Sequence, residues 1–169
     1  MSQHQETAGE RQMPHLLMSH VERCLQDIWE QHELHTDADG DWPYRWGTAA
    51  CWVRLVIDEA QSCVRVFAHA AFGVKANAAV LRELNDLNAR ARWVRFVHYG
   101  DTVGVEGELH WTLVDRASLE RVMRQVASAA DDVGTLFATV HGGETPFPPR
   151  DVAEAEDELA IGDDDEEAA

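Results

Sequence analysis

The chain has 169 residues, 45% of them hydrophobic, enough for one domain with an ordinary core and polar ends; its net charge of −17 is uneven, because residues 151–169 hold ten acidic and no basic side chains. Subtracting those ten leaves −7 on the remainder, a sign that repels phosphate backbones and argues against nucleic acid as a partner for body or tail. No segment approaches the roughly 20 apolar residues of a membrane-spanning helix, no apolar run near Met1 resembles a signal peptide, and Cys24, Cys51 and Cys63 form no close pair, so the expectation is a cytoplasmic protein with reduced thiols.

Residues 1–12 are polar and aperiodic and read as a disordered arm. From Pro14, a residue suited to a first helical turn, Leu17, Val21, Cys24, Leu25 and Ile28 recur at helical spacing, which predicts a helix over 14–34 closed by the turn cluster HTDADGDWP. A weak strand is expected around Tyr44–Thr48. Strict alternation continues in TAACWVRLVID, with Cys51, Val53, Leu55 and Ile57 on one face and Trp52, Arg54 and Val56 on the other. EAQS is the expected hairpin loop, and CVRVFAHAA repeats the alternation, placing Val64, Val66 and Ala68 opposite Arg65, Phe67 and His69.

A helix is expected over 76–90, and the stretch LRELNDLNARARW that runs through its end has two asparagines interrupting a leucine pattern. On a helical wheel Asn88 falls between Leu81 and Leu84, and Asn85 lies at the edge of that stripe. A buried amide without partners costs on the order of 1–3 kcal/mol, so both asparagines are expected to hold fixed polar partners where the helix meets the sheet. WVRFVHY and TVGVEGELHW, split by Gly100 and Asp101, form a second hairpin with a tight turn. A last helix over 115–138 carries Leu119, Val122, Met123, Val126, Ala130, Val133 and Phe137 on one stripe, and HGGETPFPPR cannot prolong it. The expected fold class is α+β, an antiparallel sheet of about five strands with helices in the order α-β-β-β-α-β-β-α. The domain spans 13–147, and 148–169 is a disordered acidic tail that either solubilises the protein, competes for the arginines of the body, or binds a basic client.

Candidate chemistry is sparse. His20 with Cys24, and His32 with His35, are spaced to share helix faces, but HELHT lacks the second metalloprotease histidine and no other pair completes a tetrahedral set. The cysteines fall on strand or helix core positions, no GxSxG elbow exists, Glu106 and Glu108 read as solvated charges on a sheet face, and Gly142–Gly143 precede no phosphate-binding helix. Neither catalytic residue, metal nor cofactor is expected.

The informative feature is the sheet face turned away from the helices. Alternation gathers Trp52, Arg54, Arg65, Phe67 and Arg95 there, with Trp93 or Tyr99, beside Glu106, Glu108 and His110; the register of RWVRFVHY stays open because both of its faces are apolar. Aromatics and arginine without lysine is the composition of an interface. The element order, ELNDLN in the central helix, the hairpin WVRFVHYGDTVGVEGEL and the closing HGGETPF together resemble actinobacterial members of the YbjN family, which is grouped with type III secretion chaperones of the CesT kind; the similarity spans about Leu16–Phe147. The resemblance implies a peptide-binding, chaperone-like fold, often dimeric, with no catalytic residues. The expected function is therefore a non-enzymatic module, chaperone-like or adaptor, that holds a peptide or protein client on the aromatic and arginine face. The alternatives are a homodimeric regulator without chaperone activity and, from a different class, a metal-dependent sensor or enzyme using His20, Cys24, His32 and His35.

Overall fold

A computed structural model describes residues 8–58 and 62–149. Three helices and five strands succeed one another in the order α1 (Ala8–Trp29), β1 (Trp42–Trp46), β2 (Ala49–Val56), β3 (Cys63–Phe72), α2 (Ala78–Arg90), β4 (Arg95–Tyr99), β5 (Thr102–His110) and α3 (Arg116–His141), with one 3-10 turn at Trp111–Leu113 before α3. The strands form one antiparallel sheet in the spatial order β1-β2-β3-β5-β4. This is the expected α+β architecture.

Local chemistry explains the element ends. Asn77 and Asp115 sit in extended conformation ahead of α2 and α3, and their side-chain oxygens accept the first free N–H groups of each helix. The β4–β5 hairpin closes through Gly100 at φ 49° and Asp101 at φ 59°, between the paired Tyr99 and Thr102, as a two-residue turn matched to strand twist requires. Burial tracks the pleat: Cys51, Val53, Val64, Val66, Ala68, Val103 and Val105 turn to the helix side and meet Leu119, Met123, Val126, Ala130 and Phe137 of α3, while α1 adds Leu17, Val21, Cys24 and Leu25. At Gly134 the helix backbone approaches β3 so closely that an added Cβ would lie 2.5 Å from the Ala70 carbonyl oxygen. A residue with a side chain there would push α3 off the sheet.

Three expectations are corrected. Helix α1 begins at Ala8, so residues 8–12 of the expected disordered arm are helical, while residues 1–7 lie outside the described residues. It also ends at Trp29 rather than at 34: Glu30 takes φ 53° and the Gln31 N–H donates to Gln26 O, the 6→1 bond of a left-handed helix stop. Third, α2 is rotated about its axis relative to the leucine stripe that the sequence suggests. Val80 and Leu84 are buried, Leu87 is half-buried, and Leu81 is exposed.

The segment after α3 is more than a terminator. Gly142 ends the helix in the left-handed region at φ 76°, and Glu144 then pairs with Phe72 through two backbone hydrogen bonds of 2.7 and 2.9 Å. The Phe147 N–H donates to Thr48 O, so HGGETPF clamps the end of β3 to the start of β2. The EAQS loop falls partly, and the acidic segment wholly, outside the described residues.

Candidate functional site

The outer face of the sheet is built by register. Trp52 of β2 pairs across to Phe67 of β3, then to Glu106 of β5 and Arg95 of β4; one step along, Arg54 faces Arg65 and then Glu108. Trp52, Arg54, Arg65, Phe67 and Arg95 therefore share one surface. Trp52 and Phe67 stack with centroids 5.3 Å apart and planes 11° apart, and the Arg54 guanidinium lies 5.0 Å from the Phe67 ring centroid. His69 stands 4.7 Å from Trp52, 5.4 Å from Phe72 and 5.9 Å from Tyr99, which completes an aromatic floor.

One member of this floor escapes a period-two reading, and a second settles a register that the sequence leaves open. The register of β3 against β5 slips between His69 and Ala71, so Ala70 and Ala71 are both buried and Phe72 emerges on the outer side, next to His69. Tyr99 arrives because β4 presents Arg95, Val97 and Tyr99 outward, which resolves the open register. Trp93 precedes the strand and is 74% exposed.

Every arginine on this face is matched. Arg54 meets Asp41 through Nε at 2.9 and 3.0 Å and again through Nη2; Arg65 meets Glu108; Arg95 meets Glu106 at 2.9 Å and reaches Glu108 at 3.6 Å. The bond to Asp41 and the bond to Glu106 raise the pKa of Arg54 and of Arg95, fixing both as cations. Against these three arginines stand five carboxylates, because the loop before β1 brings Asp37 and Asp39 as well as Asp41 to the same hollow, leaving a local balance of −2. The surface foreseen as arginine-bearing is thus net acidic. The hollow holds about 440 Å³ between the Asp37–Asp41 loop and Tyr99.

That loop is legible in the sequence only as a turn. The Asp37 carboxylate accepts the N–H groups of Asp39 and Asp41, both at 3.0 Å, and so curls the chain until Asp41 is 3% exposed beside Arg54. Among the described residues, Asp37, Asp39 and Asp41 form the one group of three or more metal-type side chains whose ligating atoms lie within 4.8 Å of one another. The histidine set expected as an alternative is not assembled. The His20 ring bonds Val114 O at 2.8 Å with Cys24 Sγ 4.0 Å away, whereas His32 and His35 lie beyond the end of α1 and are exposed. Burial lowers the pKa of His69, so this ring is a neutral part of the floor near pH 7.

The two asparagines of α2 separate. The Asn88 amide donates to Phe96 O at 2.9 Å and its carbonyl accepts the Phe96 N–H at 2.8 Å, pairing both outward backbone groups of one residue in edge strand β4. Asn85 is exposed and has no hydrogen-bond partner among the described residues, contrary to the expectation that both would be fixed.

A family described as T3SS (YopN, CesT) and YbjN peptide-binding chaperone 1 matches residues 15–149. The chain belongs to this family, TY-Chap1. TY-Chap1 proteins bind peptides, so the protein is a non-enzymatic, chaperone-type binding module rather than a catalyst. Among solved structures, the crystal structure of the ExsC-ExsE complex contains a chain with the same fold: TM-score 0.56 at 13% identity, over 70% of this chain and 94% of that one. No curated protein sequence matches the chain. No helix among the described residues of this TY-Chap1 protein is long and apolar enough to cross a membrane.

Proposed function

We infer that this chaperone holds an extended segment of a client protein, in the cytoplasm, on the outer face of its sheet. The observation that supports the reading is the aromatic floor of Trp52, Phe67, His69 and Tyr99, with Phe72 beside His69, set in an acid-rimmed hollow of about 440 Å³. An aromatic or aliphatic client side chain is desolvated against the floor, and basic residues flanking it face the Asp37 and Asp39 carboxylates, which form no direct ion pair with the arginines of the face. Because the arginines are already held by carboxylates, they wall the hollow instead of recruiting acidic clients. The client class is therefore a segment with a bulky apolar residue beside Arg or Lys.

The test compares full-length protein with Trp52→Ala/Phe67→Ala in titrations against fluorescent peptides carrying Leu or Trp flanked by Arg, by Gly or by Glu. The reading expects the Arg-flanked peptides to bind best, to weaken at least tenfold in the double variant, and to weaken with salt. Equal binding of all three peptide classes, or unchanged binding by a double variant with native circular dichroism, refutes it.

A further inference from the structure

A second hollow, of about 540 Å³, lies on the helix side of the sheet where the end of α1, strand β1 and the start of α3 meet. Ile28, Trp29, Leu34, Trp46 and Met123 form its apolar lining, Gln31, His35 and Glu120 add polar groups, and its rim carries Arg45 and Arg124. The charge is not balanced: Arg124 is paired with Glu120 at 2.8 Å, but Arg45 donates only to the carbonyls of Gly47 and Pro148 and meets no carboxylate among the described residues. Arg45 is also where the chain leaves the body. Its guanidinium covers the Phe147 ring at 4.6 Å and bonds Pro148 O, so Pro149 departs from the rim of this hollow.

The segment beyond Pro149 suits the hollow in chemistry and reach. Residues 151–169 carry ten acidic side chains, and their only large apolar residues are Val152, Leu159 and Ile161. We propose that this acidic segment is the occupant of the groove between α1, β1 and α3, with Leu159 and Ile161 against its apolar lining and its carboxylates against Arg45. The link from Pro149 to Leu159 reaches about 33 Å when extended and averages about 17 Å as a coil, so it spans the distance without strain. A tether of that length supplies an effective concentration in the millimolar range, which lets a contact too weak to form between separate molecules stay occupied. The groove is separate from the outer sheet face, so its occupation by the acidic segment does not depend on where a client binds.

The experiment uses the full chain with ¹⁵N-labelled tryptophan, because Trp29 and Trp46 wall the groove while Trp93 and Trp111 lie elsewhere. Leu159→Ser/Ile161→Ser alters only the segment. The proposal expects the indole signals of Trp29 and Trp46 to move in this variant while those of Trp93 and Trp111 stay. It expects a synthetic peptide of residues 151–163 to move them back at millimolar concentration, and 0.5 M NaCl to shift the unmodified protein toward the variant. Identical Trp29 and Trp46 signals in the two proteins overturn it. So does a wild-type position that changes with protein concentration, because the segment would then be seated on a second copy.

Discussion

Replacing Asn88 by leucine should cost stability out of proportion to its exposed position. The side chain makes two hydrogen bonds, to Phe96 N–H at 2.8 Å and to Phe96 O at 2.9 Å, and both terminate the free side of β4. At about 1 kcal/mol net per neutral hydrogen bond, their loss costs about 2 kcal/mol. Leucine's better helix propensity returns about 0.4 kcal/mol, leaving a net loss near 1.5 kcal/mol, or about 5–8 °C in Tm for a body of this size. Asn85→Leu is the control, since Asn85 has no partner among the described residues; it should be neutral or stabilising by a few tenths of a kcal/mol. Urea titrations monitored by circular dichroism, with the m-value unchanged, give both numbers. The pair should differ by about 2 kcal/mol, and a difference below about 0.5 kcal/mol would refute the idea that the amide of Asn88 substitutes for a neighbouring strand.

Two further outcomes are expected. Asp131→Ala should destabilise by about 3 kcal/mol in the same urea assay, because Asp131 Oδ1 accepts both the Thr48 N–H at 2.8 Å and the Thr48 hydroxyl at 2.7 Å, and bonds to a charged acceptor are the stronger kind; a loss under 1 kcal/mol would show that water replaces the carboxylate. Burial pushes the Cys51 thiol up to about 12, so the stability from keeping it protonated is complete below the ordinary thiol pKa of about 8.5 and is lost as pH rises toward 12. In native protein at pH 8 a thiol reagent should therefore label half-exposed Cys63 and leave buried Cys51 untouched until urea unfolds the chain; rapid Cys51 labelling would contradict the packing.

The strands and most helix limits are legible in the sequence because alternation and capping are local. Trp52, Arg54, Arg65 and Phe67 need only the pleat to be placed on one face, and Gly100–Asp101 need only turn chemistry. The features that escape depend on contacts between distant residues. The slip at Ala70 that turns Phe72 outward has no signature in CVRVFAHAA, where small residues fit either face. A helical wheel misplaces α2 because the apolar Val80 and Leu81 flank Leu84 on opposite sides of it, and the tie from Asn88 to Phe96 favours the side on which Val80 is buried. Arginines are visible as residues but not as ion pairs, because Glu106 and Glu108 reach them across strands and Asp41 reaches Arg54 from a loop.

The end of α1 has the largest consequence for the site. α1 packs on the helix side of the sheet, whereas Arg54 projects from the other side, so residues 30–41 must carry the chain around the β1 edge before Asp41 can meet Arg54. A helix continued to residue 34, as Leu34 and the absence of glycine suggest, would advance 1.5 Å per residue in place of about 3.4 Å and shorten that link by about 10 Å. Glu30 in the left-handed region, stabilised by the bond from Gln31 N–H to Gln26 O, releases that length. Exposed ion pairs contribute little to stability, about 0–1 kcal/mol, so the exposed pairs Arg65–Glu108 and Arg95–Glu106 do not explain why this face is ordered. The Arg54–Asp41 pair is different because its carboxylate is buried, and removing Arg54 would strand that charge. An early helix stop, a curled aspartate loop and one half-buried ion pair thus act in series to hold Arg54 over Phe67 and to bring Asp37 and Asp39 to the rim of the aromatic hollow.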